Sequence, residues 1–367
     1  MALFNDDAFQ RLNDVMRMAH AAGSPRAYAI TTGNREGAKR NLTGGYHDEN
    51  RSSPLNINSS FLIASPTKPF IATAFMMLVQ RGLVRLSDRA CKYLPEFETS
   101  DKRSIRLIHL LTHTSGLPDM LTNNEELRKA HAPLSEFMAG TAQAKLRFKP
   151  GTRLSYQSMG ILALATVIER TTGDTIGQFL HANIFKQLGM HHSQLGTTAN
   201  GAQPLKKQFQ VQCEVEPQPG DAPWGWNSKY WRELGAPWGG MMASANDLAV
   251  FLRHLLMIAA GEPGILHPNI LKTMTTNQLV TLPHIEPSTA RSTPWGLGWQ
   301  LNWPSHPRGF GSILPPDAYG HWGATGTLLW VDPKSEIYGV ILTSAPIGLE
   351  NREPLTYSNL LRGVWSK

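Results

Sequence analysis

The sequence predicts a mixed α/β protein, with an α/β domain assembled from both ends of the chain around a mainly helical insert. Three observations carry this expectation. Strand-like runs stand near both ends, at 27–46 and 296–344, while helical patterns joined by polar loops dominate 86–235. The segment PTKPFIATAFMMLVQR, residues 66–81, is apolar almost all round, as a helix buried in the middle of a domain is. The expected organisation is therefore a discontinuous sheet domain, 1–85 with 236–367, and a helical domain, 86–235.

The elements follow in order. Residues 5–22 place Phe9, Leu12, Val15, Met16 and Met18 near helical spacing, which predicts an amphipathic opening helix. Two short apolar or alternating runs, 27–32 and 42–46, flank the turn-rich GNREGAKRN and predict a β-hairpin. Residues 61–64 form a brief strand or turn entry, and Gly82 is the natural stop of the apolar helix. Helices are expected at 105–112, 133–144 and 158–171, the last closed by Gly173. After about 236 come a helix at 245–260 capped by Ser244 or Asn246, strands at 296–302, 326–331 and 338–344, and a final helix at 355–365.

Composition narrows the function. The 367 residues carry 35 Lys and Arg against 28 Asp and Glu, a net charge of +7, and 41% are apolar. With 32 Gly and 25 Pro scattered rather than repeated, disorder, collagen and coiled coil are excluded. Basic residues occur in pairs at most, never as a stripe interleaved with aromatics, so no nucleic-acid partner is expected. The longest uncharged apolar run, 69–79, is far short of a membrane span. An N-terminus rich in acids and polar residues lacks the unbroken apolar stretch of a signal peptide. Cys91 and Cys213 stand apart without a partner motif, as reduced thiols do, and the expected location is the cytoplasm. No obligate protein partner is evident.

Phosphate-loop, dinucleotide, GxSxG, HExxH and CxxC signatures are absent, and no cofactor or metal is expected. His109 and His113 have i,i+4 spacing but lack an obvious third ligand, and Thr112 to Gly116 reads as a helix end. Ser65-Pro66-Thr67-Lys68 is more informative. An S-x-x-K match arises about once by chance in a chain of this composition, but its position is specific. Pro66 and Pro69 cannot both lie deep in a helix, so they pin its start at about Ser65. A serine there has open backbone N–H groups around it and the positive end of the helix dipole beneath it. Lys68 returns to the same face one turn on, where burial would lower its pKa and let it take a proton from the hydroxyl. The plainer alternative is a capping serine with a surface lysine.

Two further clusters stand out. Ser155-Tyr156-Gln157-Ser158 precedes an apolar helix, where a tyrosine either points its hydroxyl into a cleft or caps an interface. Gly320-His321-Trp322-Gly323-Ala324-Thr325-Gly326-Thr327 precedes an apolar strand and either lets a ligand come close or forms a plain turn. The stretch 222–240 adds Trp224, Trp226, Tyr230, Trp231 and Trp238, as an aromatic pocket wall or as core packing.

In this order and spacing the clusters resemble the active site of the serine β-lactamase and penicillin-binding-protein superfamily, above all class C-type β-lactamases and the family VIII esterases built on their fold. The likeness runs from about Ala27 to Pro346 and includes FLIASPTKPFIATAFMMLVQRG, LSDRACKYLPEF, IRLIHLLTHTSGLPD, FKPGTRLSYQSMGILALATVIERTTG and GHWGATGTLLWVDP. The resemblance implies an antiparallel sheet flanked by helices, a helical domain beside it, and the site between them. It also implies Ser65 as the acylated nucleophile, Lys68 as its proton acceptor, and Tyr156 as a general base whose pKa nearby Lys68 lowers. The N–H groups of Ser65 and Ala324 would form the oxyanion hole.

Ser158, His321, Trp322 and Gly323 are the implied substrate-binding positions, and three of them depart from the pattern. Ser158 replaces the asparagine of Tyr-x-Asn. His321 replaces the lysine of Lys-Thr-Gly, and an imidazole of ordinary pKa, ~6.5, is mostly neutral at pH 7. Trp322 is expected to add bulk at the groove edge. These changes point to a serine hydrolase that forms an acyl-enzyme on a small carboxylic ester. The alternatives are an amide-directed member, a D-amino-acid peptidase or weak β-lactamase, and a non-catalytic binding descendant.

Overall fold

The computed structural model describes residues 2–37, 39–47, 53–196, 210–214, 223–303, 306, 309–347 and 353–366. In chain order the strands are β1 (Leu3–Phe4), β2 (Ala27–Asn34), β3 (Lys39–Gly45), β4 (Ser60–Leu62), β5 (Gln194–Leu195), β6 (Met241–Ser244), β7 (Gln300–Leu301), β8 (Tyr319–Gly323), β9 (Thr327–Asp332), β10 (Ile337–Thr343) and β11 (Trp365–Ser366). The main sheet is antiparallel, in the order β3-β2-β10-β9-β8-β7. A smaller sheet, β4-β6-β5, carries the approach to Ser65, and β1 pairs with β11.

Strands β2, β9 and β10 are buried on both faces, which explains their near-continuous apolar runs. Alternate side chains go to opposite layers. Tyr28, Ile30, Leu328, Trp330 and Ile341 meet Leu12, Met16, Tyr357 and Leu361 from the terminal helices Asp6–Ala21 and Glu353–Gly363. Ala29, Leu329, Val331, Val340 and Leu342 meet the other face, with Phe70, Ile71 and Phe75 of the helix Thr67–Gln80 and Phe251 of the helix Ala245–Ala259. Phe70 stacks on Phe251 with ring centroids 4.2 Å apart. Each fully buried aromatic or aliphatic side chain contributes about 1.5–3 kcal/mol here.

The opening helix, the hairpin of β2 and β3, and Gly173 as a left-handed C-cap stand as the sequence predicts. Ser244 caps Ala245–Ala259 by accepting from Asp247 N. Three details differ. The apolar helix begins at Thr67 rather than at about Ser65, because Ala64 turns into the left-handed region (φ +53°) and Ser65-Pro66 complete the turn. The strand expected over 296–302 shrinks to Gln300–Leu301. Gly298 (φ +74°) lies so close to Ala72 that no side chain would fit, and its N–H donates to Leu111 O, which pulls the backbone out of the sheet. Residues 319–323, read as a ligand-admitting or plain turn, form β8, with the turn itself at 324–326. Among the described residues no helix is long and apolar enough to cross a membrane.

Candidate active site

Ser65 sits between β4 and the helix Thr67–Gln80, and three elements hold its backbone. Thr67 N and Oγ1 both donate to Ala64 O, at 2.9 and 2.7 Å, and Lys68 N donates to Ser65 O at 2.9 Å. Ile63 N donates to Met241 O, and Met241 N returns to Thr67 Oγ1 at 3.2 Å. From the main sheet, Thr325 Oγ1 donates to Leu62 O at 2.5 Å and Thr327 Oγ1 to Ile63 O at 2.6 Å. Gly323 permits this approach: a Cβ there would strike Ile63 O, Thr327 Oγ1 and Pro66 Cδ. Among the described residues neither the Ser65 nor the Ala324 N–H donates to an acceptor. Two backbone donors thus stand open at the helix start and the neighbouring turn.

Lys68 lies in the first turn of that helix and is 1% exposed. Its Nζ is 3.1 Å from Ser65 Oγ and donates to Trp238 O at 2.6 Å. It also stands 4.7 Å from the Tyr156 ring centroid. Burial pushes the amine down to about 7, against the opposing pull of the Asp119 carboxylate. An amine at that value is mostly neutral slightly above pH 7, with a lone pair for a hydroxyl proton.

Tyr156 projects from a loop fastened on both sides. Ser155 N donates to His113 O at 2.9 Å, and Gln157 N to His113 Nδ1 at 3.2 Å. Gln157 Oε1 accepts from Ser115 Oγ at 2.5 Å, and its Nε2 donates to His109 O at 3.2 Å. The His113 ring lies 4.7 Å from that of Tyr156. Because Nδ1 accepts, the His113 proton is on Nε2, and burial with nearby Lys68 holds the imidazole well below its ordinary pKa. His109 Nδ1 likewise accepts from Arg106 N, so each of the i,i+4 pair spends a ring nitrogen on the backbone.

His321 on β8 faces the same centre, 5.9 Å from Tyr156 and 6.0 Å from Trp295 between ring centroids. Its Nδ1 is 2.8 Å from Trp322 O, which can only accept, so the proton is on Nδ1 and neutral Nε2 is an acceptor. Burial, and then Lys68, push this imidazole down to about 3, far from the ordinary value expected of the sequence.

Ser65, Lys68, Tyr156, His321, Gly323 and Ala324 come together around one centre. Ser158 turns aside: its N–H and Oγ both donate to Asp119 Oδ1, at 3.0 and 2.6 Å. Trp322 corrects the expectation of bulk at the groove edge. Strand alternation sends it to the opposite face, where it pairs with Leu328 and packs on the terminal-helix layer. The aromatic wall is Trp295, 4.7 Å from His113 and 6.1 Å from Trp303, which sequence reasoning missed. Of the Trp-rich stretch, Trp231 and Trp238 are core, and Trp224 and Trp231 flank Arg128. Its contribution to the site is the Trp238 carbonyl. His113 and Asp119 were also missed as site residues, although both lie in one quoted segment, IRLIHLLTHTSGLPD.

A serine and a buried lysine one helical turn apart, with a tyrosine over the amine and a sheet-edge turn alongside, define a serine hydrolase on the β-lactamase/transpeptidase-like fold. The chain belongs to the Beta-lactamase family, whose family model matches residues 17–363. It is 25% identical over 313 residues to an Escherichia coli (strain K12) protein named as a D-alanyl-D-alanine carboxypeptidase, covering 77% of this chain and 68% of that one. Among solved structures it is similar to EstCE1, a hydrolase with promiscuous acyltransferase activity (TM-score 0.75, 21% identity, 97% and 98% coverage). It is also similar to a penicillin-binding-protein homolog from Caulobacter crescentus (TM-score 0.77, 18% identity, 98% of each chain). At these structural identities the likeness is one of fold.

Proposed function

We propose that this chain hydrolyses small, neutral carboxylic esters through an acyl-enzyme on Ser65. The observation that carries the reading is the buried Lys68 amine 3.1 Å from Ser65 Oγ. Neutral Lys68 takes the Ser65 proton as Oγ attacks the ester carbonyl. The carbonyl oxygen becomes an oxyanion and rests on the Ser65 and Ala324 N–H groups, a contact typically worth ~3–4 kcal/mol per donor. As the intermediate collapses, the C–O bond to the alcohol breaks, and the proton passes by way of Tyr156 to the departing oxygen. Water then attacks the acyl-enzyme, gives its proton to the same base pair, and releases the acid and free Ser65.

Ester preference is supported by His321. Where lactam-acting relatives keep a cation for a substrate carboxylate, this chain holds a neutral imidazole at about 3, with an acceptor nitrogen that repels a carboxylate oxygen. The names of the relatives favour the second reading, an amide-directed enzyme, but they supply no such cation. Two free thiols, Cys91 and Cys213, support a reducing, cytoplasmic setting.

A fluorophosphonate probe tests the nucleophile. One adduct is expected by intact mass, at Ser65, and none on Ser65→Ala; equal labelling of both proteins overturns the assignment. A panel of p-nitrophenyl esters, D-amino-acid amides and a chromogenic cephalosporin tests the substrate class. A cephalosporin turned over as fast as a neutral ester replaces this reading with the amide-directed one.

A further inference from the structure

We propose that His113 is a positioning residue for the proton relay: its carbonyl and its ring nitrogen hold the residues on either side of Tyr156 and so set the phenol hydroxyl where it protonates the departing alcohol. The inference rests on the reading of Tyr156 as that relay.

One residue grips the tyrosine loop twice. His113 O accepts from Ser155 N at 2.9 Å, and His113 Nδ1 accepts from Gln157 N at 3.2 Å. Tyr156 therefore lies between two fixed points. The same imidazole packs on the phenol, with ring centroids 4.7 Å apart and a tilt of 38°. Trp295 meets the imidazole edge-on, also at 4.7 Å. Among the described residues Nε2 has no hydrogen-bond partner, so the ring's polar bond goes to the tyrosine loop alone. His109, by contrast, spends its Nδ1 on Arg106 N at the start of its own helix.

The double grip uses a conformation that few side chains adopt. His113 is fully buried and left-handed (φ +57°). Thr114 N donates to His109 O and Gly151 N to Thr114 O, both at 2.8 Å, and these bonds hold the turn. Such strain persists where the surroundings over-determine it, and it concentrates at working sites. Here it accompanies a carbonyl and a ring of one residue that both reach the same loop. Burial, and then nearby Lys68, keep the imidazole well below its ordinary pKa, so the Nδ1 lone pair stays available to Gln157 N.

The step served is collapse of the tetrahedral intermediate. The C–O bond to the alcohol breaks, Tyr156 gives its hydroxyl proton to the departing oxygen, and the phenol regains the proton that Lys68 took from Ser65. An alkyl alcohol needs that proton to leave. A p-nitrophenolate does not, because it is a weak base that departs as the anion.

Leaving groups therefore read the position of the phenol. The value of kcat/KM reports the steps through acylation. Its ratio between an ethyl ester and a p-nitrophenyl ester of the same acid measures how well the relay works. His113→Phe keeps the ring packing but leaves Gln157 N without its acceptor, and its ratio is expected to fall at least ~30-fold below wild type. His113→Asn carries Oδ1 as many bonds from the backbone as Nδ1 and tolerates the left-handed conformation; it is expected to restore the ratio to within about threefold of wild type. His113→Ala replaces the phenylalanine variant should that not fold, and carries the same expectation. A folded acceptor-free variant with the wild-type ratio overturns the proposal. Equal loss on both esters overturns it as well, by making His113 a structural residue only, and so does an asparagine variant no better than the acceptor-free one. If neither acceptor-free variant folds, His113 is a folding residue and the proposal falls. Failure of the underlying reading looks different: Tyr156→Phe would itself keep the wild-type ratio.

Discussion

The Trp238 carbonyl takes the shorter of two hydrogen bonds made by Lys68, 2.6 Å against 3.1 Å to Ser65 Oγ, so the amine is aimed by backbone as much as by its target. That carbonyl sits just before β6, which pairs with β4 ahead of Ser65. One small sheet therefore positions nucleophile and base together.

Holding that amine near neutrality should cost stability. A lysine whose folded pKa is about 7, against 10.5 when unfolded, penalises the native state at every pH below 10.5, in full below 7, and the penalty fades as pH rises between them. At pH 7.5 it amounts to about 4 kcal/mol. Lys68→Met should remove it while orphaning the Trp238 carbonyl, a net gain of roughly 1–3 kcal/mol. Urea unfolding at pH 7.5 should show the variant more stable, with the gap closing by pH 10, and ester turnover at least ~10²-fold lower. A variant both less stable and fully active would contradict the role given to this amine.

Tyr156→Phe keeps the ring that packs on His113 and lies beneath Lys68. It should therefore unfold within about 1 kcal/mol of wild type while losing ~10²-fold or more in kcat, since a proton relay is removed and little packing. Unchanged turnover would assign the relay to another group.

Substrate charge selectivity should be flat across neutral pH. An exposed histidine at 321 would gain charge between pH 8 and 6 and draw in carboxylates. The buried imidazole at about 3 does not. KM for an anionic cephalosporin, relative to a neutral ester, should change less than about twofold over that range. A severalfold improvement on acidification would mean that His321 titrates.

The same burial makes the fold acid-labile. Buried His113 and His321 are depressed relative to the unfolded chain, so the stability they preserve is present above pH 6.5 and is lost as pH falls toward their folded values. His321 alone costs about 2 kcal/mol between pH 7.5 and 5, and His113 acts in the same direction. His321→Gln should abolish its own share of that loss in urea titrations at the two pH values. An identical pH slope in the variant would argue against a buried neutral imidazole.

Gly323→Ala should be severe although it adds one methyl group. The Cβ would collide with the Ile63 carbonyl and Pro66 ring, pushing the Ala324 turn away from Ser65. We expect ~10²-fold lower turnover and a loss of about 1–3 kcal/mol. Wild-type activity would show that the turn tolerates the shift.

Much of this was legible beforehand where one residue type dictates local geometry. Pro66 and Pro69 located the helix start to within two residues, and Gly173 located a helix end. Ser65, Lys68 and Tyr156 were recognisable because their spacing accompanies an ordered set of framework phrases. The elements that escaped depend on distant partners. β8 is a strand because β9 and β7 hold it, and its glycine-rich sequence has no preference of its own. Trp322 was put on the wrong face because a face cannot be assigned before a strand is recognised. Asp119 and Trp295 reach the site only through tertiary contacts, and no local pattern marks them.

The stitch between Thr327 and Ile63 spans 264 residues of sequence, and β2 waits on β10 in the same way. At a synthesis rate of about 5–20 residues per second, the serine loop emerges from the ribosome roughly 15–50 s before the turn that completes it. During that interval the nascent chain carries Ser65 without the Ala324 donor and without the threonines that fix the loop. Reactivity is thus deferred until the turn at 324–326 has been made, and a ribosome stalled before residue 324 should hold a chain that an active-site probe cannot label.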